Sequence, residues 1–118
     1  MPRLRRNFLE RMGKSFAYLG FAIKSRKLRT GINAINTLKK DVYLIIVCST
    51  GEKNARKEAE KLSVKFNAPL IESVTKTLEE ITGKENCKVA AVTDENLAKA
   101  VLQNLGEDFR VLNGGHKD

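Results

Sequence analysis

The feature that most constrains this fold is a pair of short apolar runs set between segments with helical spacing. Tyr43–Cys48 is continuous, rich in Ile and Val, and too short for most helices, so it predicts a central strand that is buried on both faces. Val89–Val92 predicts a second buried strand. Strands that alternate with helices favour a three-layer α/β/α sandwich around a small, mixed or mainly parallel sheet.

Apolar residues at three- and four-residue steps mark the helices. Asn7 and Glu10 have capping-box spacing, and the first helix is expected to run to about residue 25, with a second from Gly31 to Lys40. Later helices are expected over Glu52–Phe66, from Thr75 or Thr77 to Gly83, and from Thr93 or Asp94 to Gly106, with a short strand at Pro69–Ile71.

A chain of 118 residues is about the size of one domain. We expect that domain to cover residues 1–106, including a basic N-terminal arm and helix over 1–25, and we expect 107–118 to be a polar, flexible tail. We also expect a monomer.

The charge is concentrated at the start of the chain. The net charge is +8 overall, but residues 1–40 hold eleven Lys and Arg against the single acid Glu10, a net of +10, and residues 41–118 carry a net of −2. Such an asymmetric basic surface is typical of a protein that binds a polyanion such as nucleic acid. A Lys-rich solvated helix face is the alternative interpretation.

Several classes of function find little support in the sequence. One His and two Cys disfavour a His-based catalytic site or a metal centre, and the strand-to-helix turn C-S-T-G-E-K-N-A-R, in which Ser49 and Thr50 are expected to act as caps, does not match a phosphate-loop motif. The longest uncharged run, 42–51, is too short for a membrane span, which needs about 20 residues. We therefore expect no enzyme, metal, cofactor or membrane association, and free thiols in a reducing cytoplasm.

The most informative segment is K-S-R-K-L-R-T-G-I-N-A-I. Its four cations, Lys24, Arg26, Lys27 and Arg29, are called here the basic collar. Gly31 and Ile32 open the next helix, whose free N–H groups suit a phosphate, and the amide of Asn33 could read a base edge. Because A-form RNA hides its major groove, base readout of this kind requires a bulge, loop or kink.

Four runs in order, L-G-F-A-I-K-S-R-K-L-R-T-G, N-A-P-L-I-E, I-T-G-K-E and V-A-A-V-T-D-E-N-L-A-K, resemble the L-seven-Ae / L-thirty-e family of ribosomal proteins, and its small bacterial members most of all. The resemblance covers about Tyr18 to Asn104. It implies an α/β/α sandwich that binds kink-turn RNA, which contains tandem sheared G·A pairs and a sharp bend. The family's kink-turn binders open the second helix with Gly-x-Asn-Glu and place a Lys a few residues later. Here Gly31 and Asn33 match, whereas Ala34 replaces the Glu and Thr37 the Lys.

The resemblance also implies a second contact surface, the loop before Val89. The residues that are expected to contact RNA are the basic collar with Thr30, Gly31, Ile32, Asn33, Ala34 and Thr37, and the loop residues Gly83, Lys84, Glu85, Asn86, Cys87 and Lys88. Lys39 and Lys40 would extend the phosphate contacts, and Arg3, Arg5 and Arg6 would form a second arm.

The sequence thus predicts a non-enzymatic RNA-binding protein of ribosomal-protein type, whose partner is structured, kink-turn-like RNA such as rRNA, on the ribosome or elsewhere. Two alternatives stay open. One is a protein-interaction module, which the absence of the Glu and the Lys favours. The other is an accessory domain of an RNA-modifying complex, since related folds precede catalytic domains of that kind.

Overall fold

In the computed structural model, the apolar run of the sequence forms the middle of a five-stranded sheet. The structure describes residues 14–50 and 53–113. Its strands are β1 (Leu28–Thr30), β2 (Leu44–Cys48), β3 (Leu70–Ser73), β4 (Val89–Val92) and β5 (Phe109–Asn113), in the spatial order β1-β4-β2-β3-β5. Only the β2–β3 pair is parallel, and the other three pairs are antiparallel. The sheet is therefore mixed rather than mainly parallel.

Helices cover both faces of this sheet. They are α1 (Lys14–Lys24), α2 (Ile32–Asn36), α3 (Lys53–Phe66), α4 (Leu78–Thr82) and α5 (Glu95–Gln103). One core contains buried residues of α1, α4 and α5, and the other contains buried residues of α2 and α3. Every residue of β2 and of β4 is buried because each strand contributes side chains to both cores. This arrangement confirms the α/β/α sandwich.

Local capping fixes the ends of the later helices as the sequence predicts. The Thr77 hydroxyl accepts the N–H of Glu80 at 3.1 Å, and the Glu80 carboxylate accepts the N–H of Thr77 at 2.9 Å, which forms a capping box. Gly83 ends α4 with a φ of 74°, and the Asp94 carboxylate accepts the N–H of Leu97 at the start of α5.

The second helix is shorter than expected. It ends at Asn36 rather than at Lys40. The Thr37 hydroxyl donates to the carbonyl of Ala34 at 2.6 Å, and the Lys65 ammonium donates to the carbonyl of Asn36 at 3.0 Å. These two bonds satisfy carbonyls that a longer helix would have used for its next turn.

Two strands of the sheet have no counterpart in the sequence prediction. β1 lies in the segment that the sequence indicates only as a basic connection, and β5 lies in the predicted tail 107–118. The tail prediction is wrong for residues 109–113, because this segment pairs with β3 and buries Phe109 against Phe16, with ring centroids 5.3 Å apart. The predicted cap at Asn7 and Glu10, the arm residues Arg3, Arg5 and Arg6, and residues 114–118 lie outside the described residues.

Candidate nucleic-acid interface

The basic collar begins at the end of α1, where the chain leaves the helix through a left-handed residue. The N–H of Lys27 donates to the carbonyl of Ala22 at 2.7 Å, and the N–H of Arg26 donates to the carbonyl of Ile23 at 3.2 Å. This is the bond pattern of a Schellman motif, in which the residue at the position of Arg26 is usually Gly. Arg26 has a φ of 61° there. The side chains of Lys24, Arg26 and Lys27 are exposed.

The collar then continues along the outer edge of the sheet. The carbonyl of Lys27 accepts two hydrogen bonds from Thr93, one from its N–H at 2.8 Å and one from its hydroxyl at 3.1 Å. These bonds attach the segment between α1 and β1 to the end of β4. Arg29 pairs with Ala91 across β1 and β4, and its side chain is exposed. The four cations therefore lie on a backbone that is hydrogen-bonded in place.

The turn after β1 presents the predicted helix opening. Gly31 has a φ of 94°, which favours glycine, and its N–H donates to the carbonyl of Val89 at 3.0 Å. Asn33 lies in the first turn of α2 and is exposed, while Ile32 is half-buried against the core. Since α2 has only five residues, its dipole is small, and the expected phosphate attraction of this helix end is weaker than the sequence suggested.

The loop between α4 and β4 meets the collar at this turn. The ammonium of Lys84 lies 3.4 Å from the hydroxyl of Thr30 and donates to it. Farther along the loop, the carboxylate of Glu79 accepts the N–H of Asn86 at 2.6 Å and forms an ion pair with Lys88 at 3.8 Å. The structure thus brings together the two surfaces that the sequence assigned separately, with Gly83, Lys84, Glu85 and Asn86 exposed.

Cys87 is not part of this surface, so its assignment to the RNA contacts is wrong. It is 4% exposed and packs in the core beneath the loop, because its neighbours in sequence lead directly into the buried strand β4. Burial raises the pKa of its thiol.

Cys48 is also a buried, free thiol, at the end of β2. Burial raises the pKa of Cys48, but hydrogen bonds with Thr50, the N–H of Leu78 and Ser73 outweigh that effect, and the net shift is downward. The hydroxyl of Thr50, which was expected to cap α3, lies 2.9 Å from the Cys48 sulfur.

Two cavities flank the place where the collar and the loop meet. A cavity of about 480 Å³ lies beside β1. Its lining includes Arg26, Arg29, Thr30, Ala34 and Lys84 from the predicted set, together with Ile23, Leu28 and Thr82, which sequence reasoning did not select. A cavity of about 430 Å³ lies beside Gly31 and Ile32, and its lining also includes the loop residues Asn86 and Lys88. The three added residues carried no sequence signal, because Ile23, Leu28 and Thr82 belong to three different elements, α1, β1 and α4, which only the tertiary fold brings together.

Lys39 and Lys40 lie elsewhere. Both are exposed and border a different cavity, of about 500 Å³, at the end where β2 begins, together with Lys65 and Lys99. Thr37 is exposed at the end of α2. The structure therefore does not place Lys39 or Lys40 beside the helix opening at Gly31, because the chain has passed along α2 to the other end of the sheet.

The collar cations are uncompensated within residues 14–50 and 53–113. The ion pairs of this part of the chain join Arg56 to Glu60, Lys61 to Glu58, Lys88 to Glu79, Lys99 to Glu95 and Arg110 to Glu72. None of these pairs includes a collar residue. The positive charge of the collar is therefore available to an anionic ligand.

In the described residues, no group of three or more His, Cys, Asp or Glu side chains is arranged to hold a metal ion. No helix of that part of the chain is both long and apolar enough to cross a bilayer.

Comparison with known proteins supports the fold alone. No protein-family model matches the chain, and no curated protein matches it at a significant level. Among solved structures, it is similar to a protein of unknown function from Bacillus halodurans, with a TM-score of 0.63 and 22% sequence identity over 76% of this chain and 94% of that chain. At this identity, the likeness extends to the α/β architecture.

Proposed function

We propose that this protein binds structured, kink-turn-like RNA through one surface, formed by the basic collar, the turn at Gly31 to Asn33 and the exposed part of the loop 83–88. The observation that carries the proposal is the uncompensated collar, in which Arg26 and Arg29 line one cavity with the loop residue Lys84. Exposed cations on a fixed backbone suit a chain of phosphates better than a single small anion.

In this proposal, phosphates supply most of the affinity and RNA shape supplies most of the selectivity. Ala34 and Thr37 lack the polar groups that the kink-turn binders of the resembled family carry at these positions, so fewer base edges are read. The exposed amide of Asn33 is the remaining base reader of the α2 opening. A sharply bent backbone brings phosphates close together, which matches the concentration of cations at one sheet edge.

The proposed role is non-enzymatic, with rRNA as one candidate partner. The resemblance to the L-seven-Ae / L-thirty-e family supports it, together with the position of the collar. A cytoplasmic location belongs to the same proposal and rests on the two free thiols, Cys48 and Cys87, because buried unpaired cysteines are usual in a reducing compartment.

The direct test compares two triple variants in filter binding to a kink-turn RNA at two salt concentrations. Lys24→Gln, Lys27→Gln and Arg29→Gln together remove three collar charges, whereas Lys53→Gln, Arg56→Gln and Lys57→Gln remove the same charge from α3. We expect the first variant to lose affinity for all RNAs and the second to retain it, with both folds intact by circular dichroism. Equal losses would show that the choice of surface is wrong.

Ala34 and Thr37 also favour a second candidate, a protein-interaction module with the same fold. If the wild-type protein fails to bind structured RNA at low salt, this candidate replaces the proposal. RNA binding that appears only together with a second protein would favour an accessory domain of an RNA-modifying complex.

A further inference from the structure

The outer face of α1 carries an exposed aromatic ring that folding does not explain. Phe21 is 60% exposed, more than any other aromatic residue in the described part of the chain. The buried face of the same helix consists of Ser15, Leu19 and Ala22, so the Phe21 ring contributes little to the core. A solvent-facing helix position prefers Ala, Lys or Glu over Phe, and the ring exposes apolar surface to water.

The surroundings of this ring are basic. Lys24 follows Phe21 by three residues, which places the two side chains next to each other on the helix surface. Lys14 lies on the same exposed side two turns earlier, and α1 contains no acidic residue. An apolar ring between two unpaired cations is unfavourable for a basic partner and is complementary to a nucleic acid strand, which offers both phosphates and flat bases.

The backbone of Phe21 is hydrogen-bonded to the segment where the collar begins. The carbonyl of Phe21 accepts the N–H of Ser25 at 2.9 Å and the Ser25 hydroxyl at 2.7 Å, and the next residue is Arg26. Phe21 therefore lies on the last turn of α1, within one turn of the first collar cation, on a rigid helix rather than on a loop.

We propose that Phe21 is a stacking platform for an unpaired base of the RNA whose phosphates contact the collar. This inference rests on the proposed function. Aromatic side chains beside a basic groove hold bases by stacking, and each stacked base contributes about fivefold or more to affinity. The occupant is a nucleotide that projects from a bulge or loop, because a base inside a duplex has no free face.

The absence of Trp from the chain allows a direct measurement. Phe21→Trp creates a protein with a single tryptophan, and Val64→Trp creates a matched control at a 75% exposed position on α3. On titration with a kink-turn RNA that carries an unpaired bulge, we expect base stacking to quench the fluorescence of the Phe21→Trp variant and to leave that of the Val64→Trp variant nearly unchanged.

Affinity gives a second, independent measurement. Phe21→Ala should weaken filter binding to the same RNA about fivefold or more, and Phe21→Tyr should retain the wild-type affinity. If the bulge nucleotides are replaced by abasic residues, which keep the phosphates and remove the bases, wild type and Phe21→Ala should bind equally. Thermal unfolding should be nearly the same for wild type and Phe21→Ala, since the ring is outside the core.

The failures of the two proposals are distinguishable. If the wild-type protein binds RNA but Phe21→Ala binds as tightly and RNA does not quench the fluorescence of the Phe21→Trp variant, the stacking inference is wrong and the RNA-binding proposal stands. If the fluorescence of that variant changes with protein concentration and not with RNA, Phe21 is a contact between copies of this chain, which overturns the inference. If no RNA binds to the wild-type protein, the proposed function itself fails.

Discussion

At the scale of single residues, Arg26 shows the clearest conflict between folding and a surface role. Its left-handed φ of 61° costs a side-chain-bearing residue about 1 kcal/mol relative to Gly. We expect Arg26→Gly to raise the free energy of unfolding by about 0.5–1 kcal/mol, measured by urea denaturation. The same variant should bind kink-turn RNA more weakly and with a salt slope about one unit less steep.

A second helix of the protein provides the matched control. α3 ends in the same bond pattern, with the N–H of Ala68 donating to the carbonyl of Ser63 and a φ of 54° at Asn67. Asn67→Gly should leave RNA binding unchanged, because Asn67 is remote in sequence and in the fold from the collar. If Arg26→Gly retains full RNA affinity, Arg26 does not contact the ligand.

A substitution at Ala34 tests whether the opening of α2 contacts the G·A pairs of a kink-turn RNA. It occupies the third position of α2, where a carboxylate is favourable, so Ala34→Glu should fold normally. We expect this variant to bind a standard kink-turn RNA about fivefold more tightly, because the carboxylate can accept from a guanine edge of the tandem G·A pairs. Filter binding against the same RNA with Watson–Crick pairs in place of the G·A pairs is the control.

The position of Ala34 in the structure gives an expected result for the control RNA. Ala34 lines the same cavity as Arg29 and Lys84, so the new carboxylate would lie near two cations. The Ala34→Glu variant should therefore bind the Watson–Crick control RNA more weakly than the wild-type protein does. A loss of affinity for both RNAs would contradict kink-turn reading and leave phosphate binding by the collar in place.

At the scale of elements, the sequence predicts those whose cause is local. The buried runs of β2 and β4 and the caps at Thr77 and Asp94 depend on adjacent residues, and the structure confirms them. The edge strands β1 and β5 have no such signal, because three to five mixed residues become strands only by pairing with a neighbour that is distant in sequence. For the same reason, the sequence indicated the collar but not the cavity beside it.

The edge strand β5 allows a test of its contribution to stability. Phe109 is 5% exposed and packs against Phe16, whereas Val111 on the same strand is 50% exposed. We expect Phe109→Ala to lower the free energy of unfolding by about 3–5 kcal/mol and Val111→Ala to lower it by less than about 1 kcal/mol. Urea denaturation measures both free energies. A loss for Phe109→Ala as small as the loss for Val111→Ala would show that this segment does not belong to the core.

At the scale of the whole molecule, the separation of charge follows from where the acids find partners. Within the described part of residues 41–113, most acidic side chains are engaged locally. Ion pairs use Glu58, Glu60, Glu72, Glu79 and Glu95, helix caps use Glu80 and Asp94, and a hydrogen bond from Thr75 uses Asp108. These acids therefore have partners other than the collar cations, and the positive charge of the collar stays unpaired at one sheet edge.

This charge distribution makes a quantitative prediction for RNA binding. If the four collar cations each neutralise one phosphate, the logarithm of the binding constant should fall against the logarithm of salt concentration with a slope of about −3 to −4. The triple collar variant Lys24→Gln, Lys27→Gln and Arg29→Gln should reduce the steepness by about three units, since each lost phosphate contact removes about one. The α3 triple variant should keep the wild-type slope, because its three residues lie outside the proposed surface. It is the control for net charge, since a nonspecific effect of charge would make the slopes of both variants less steep. A flat response in the wild type would remove the electrostatic basis of the proposal, whereas a steep slope that survives in the collar variant would assign the phosphate contacts to another basic surface, such as Lys39 and Lys40.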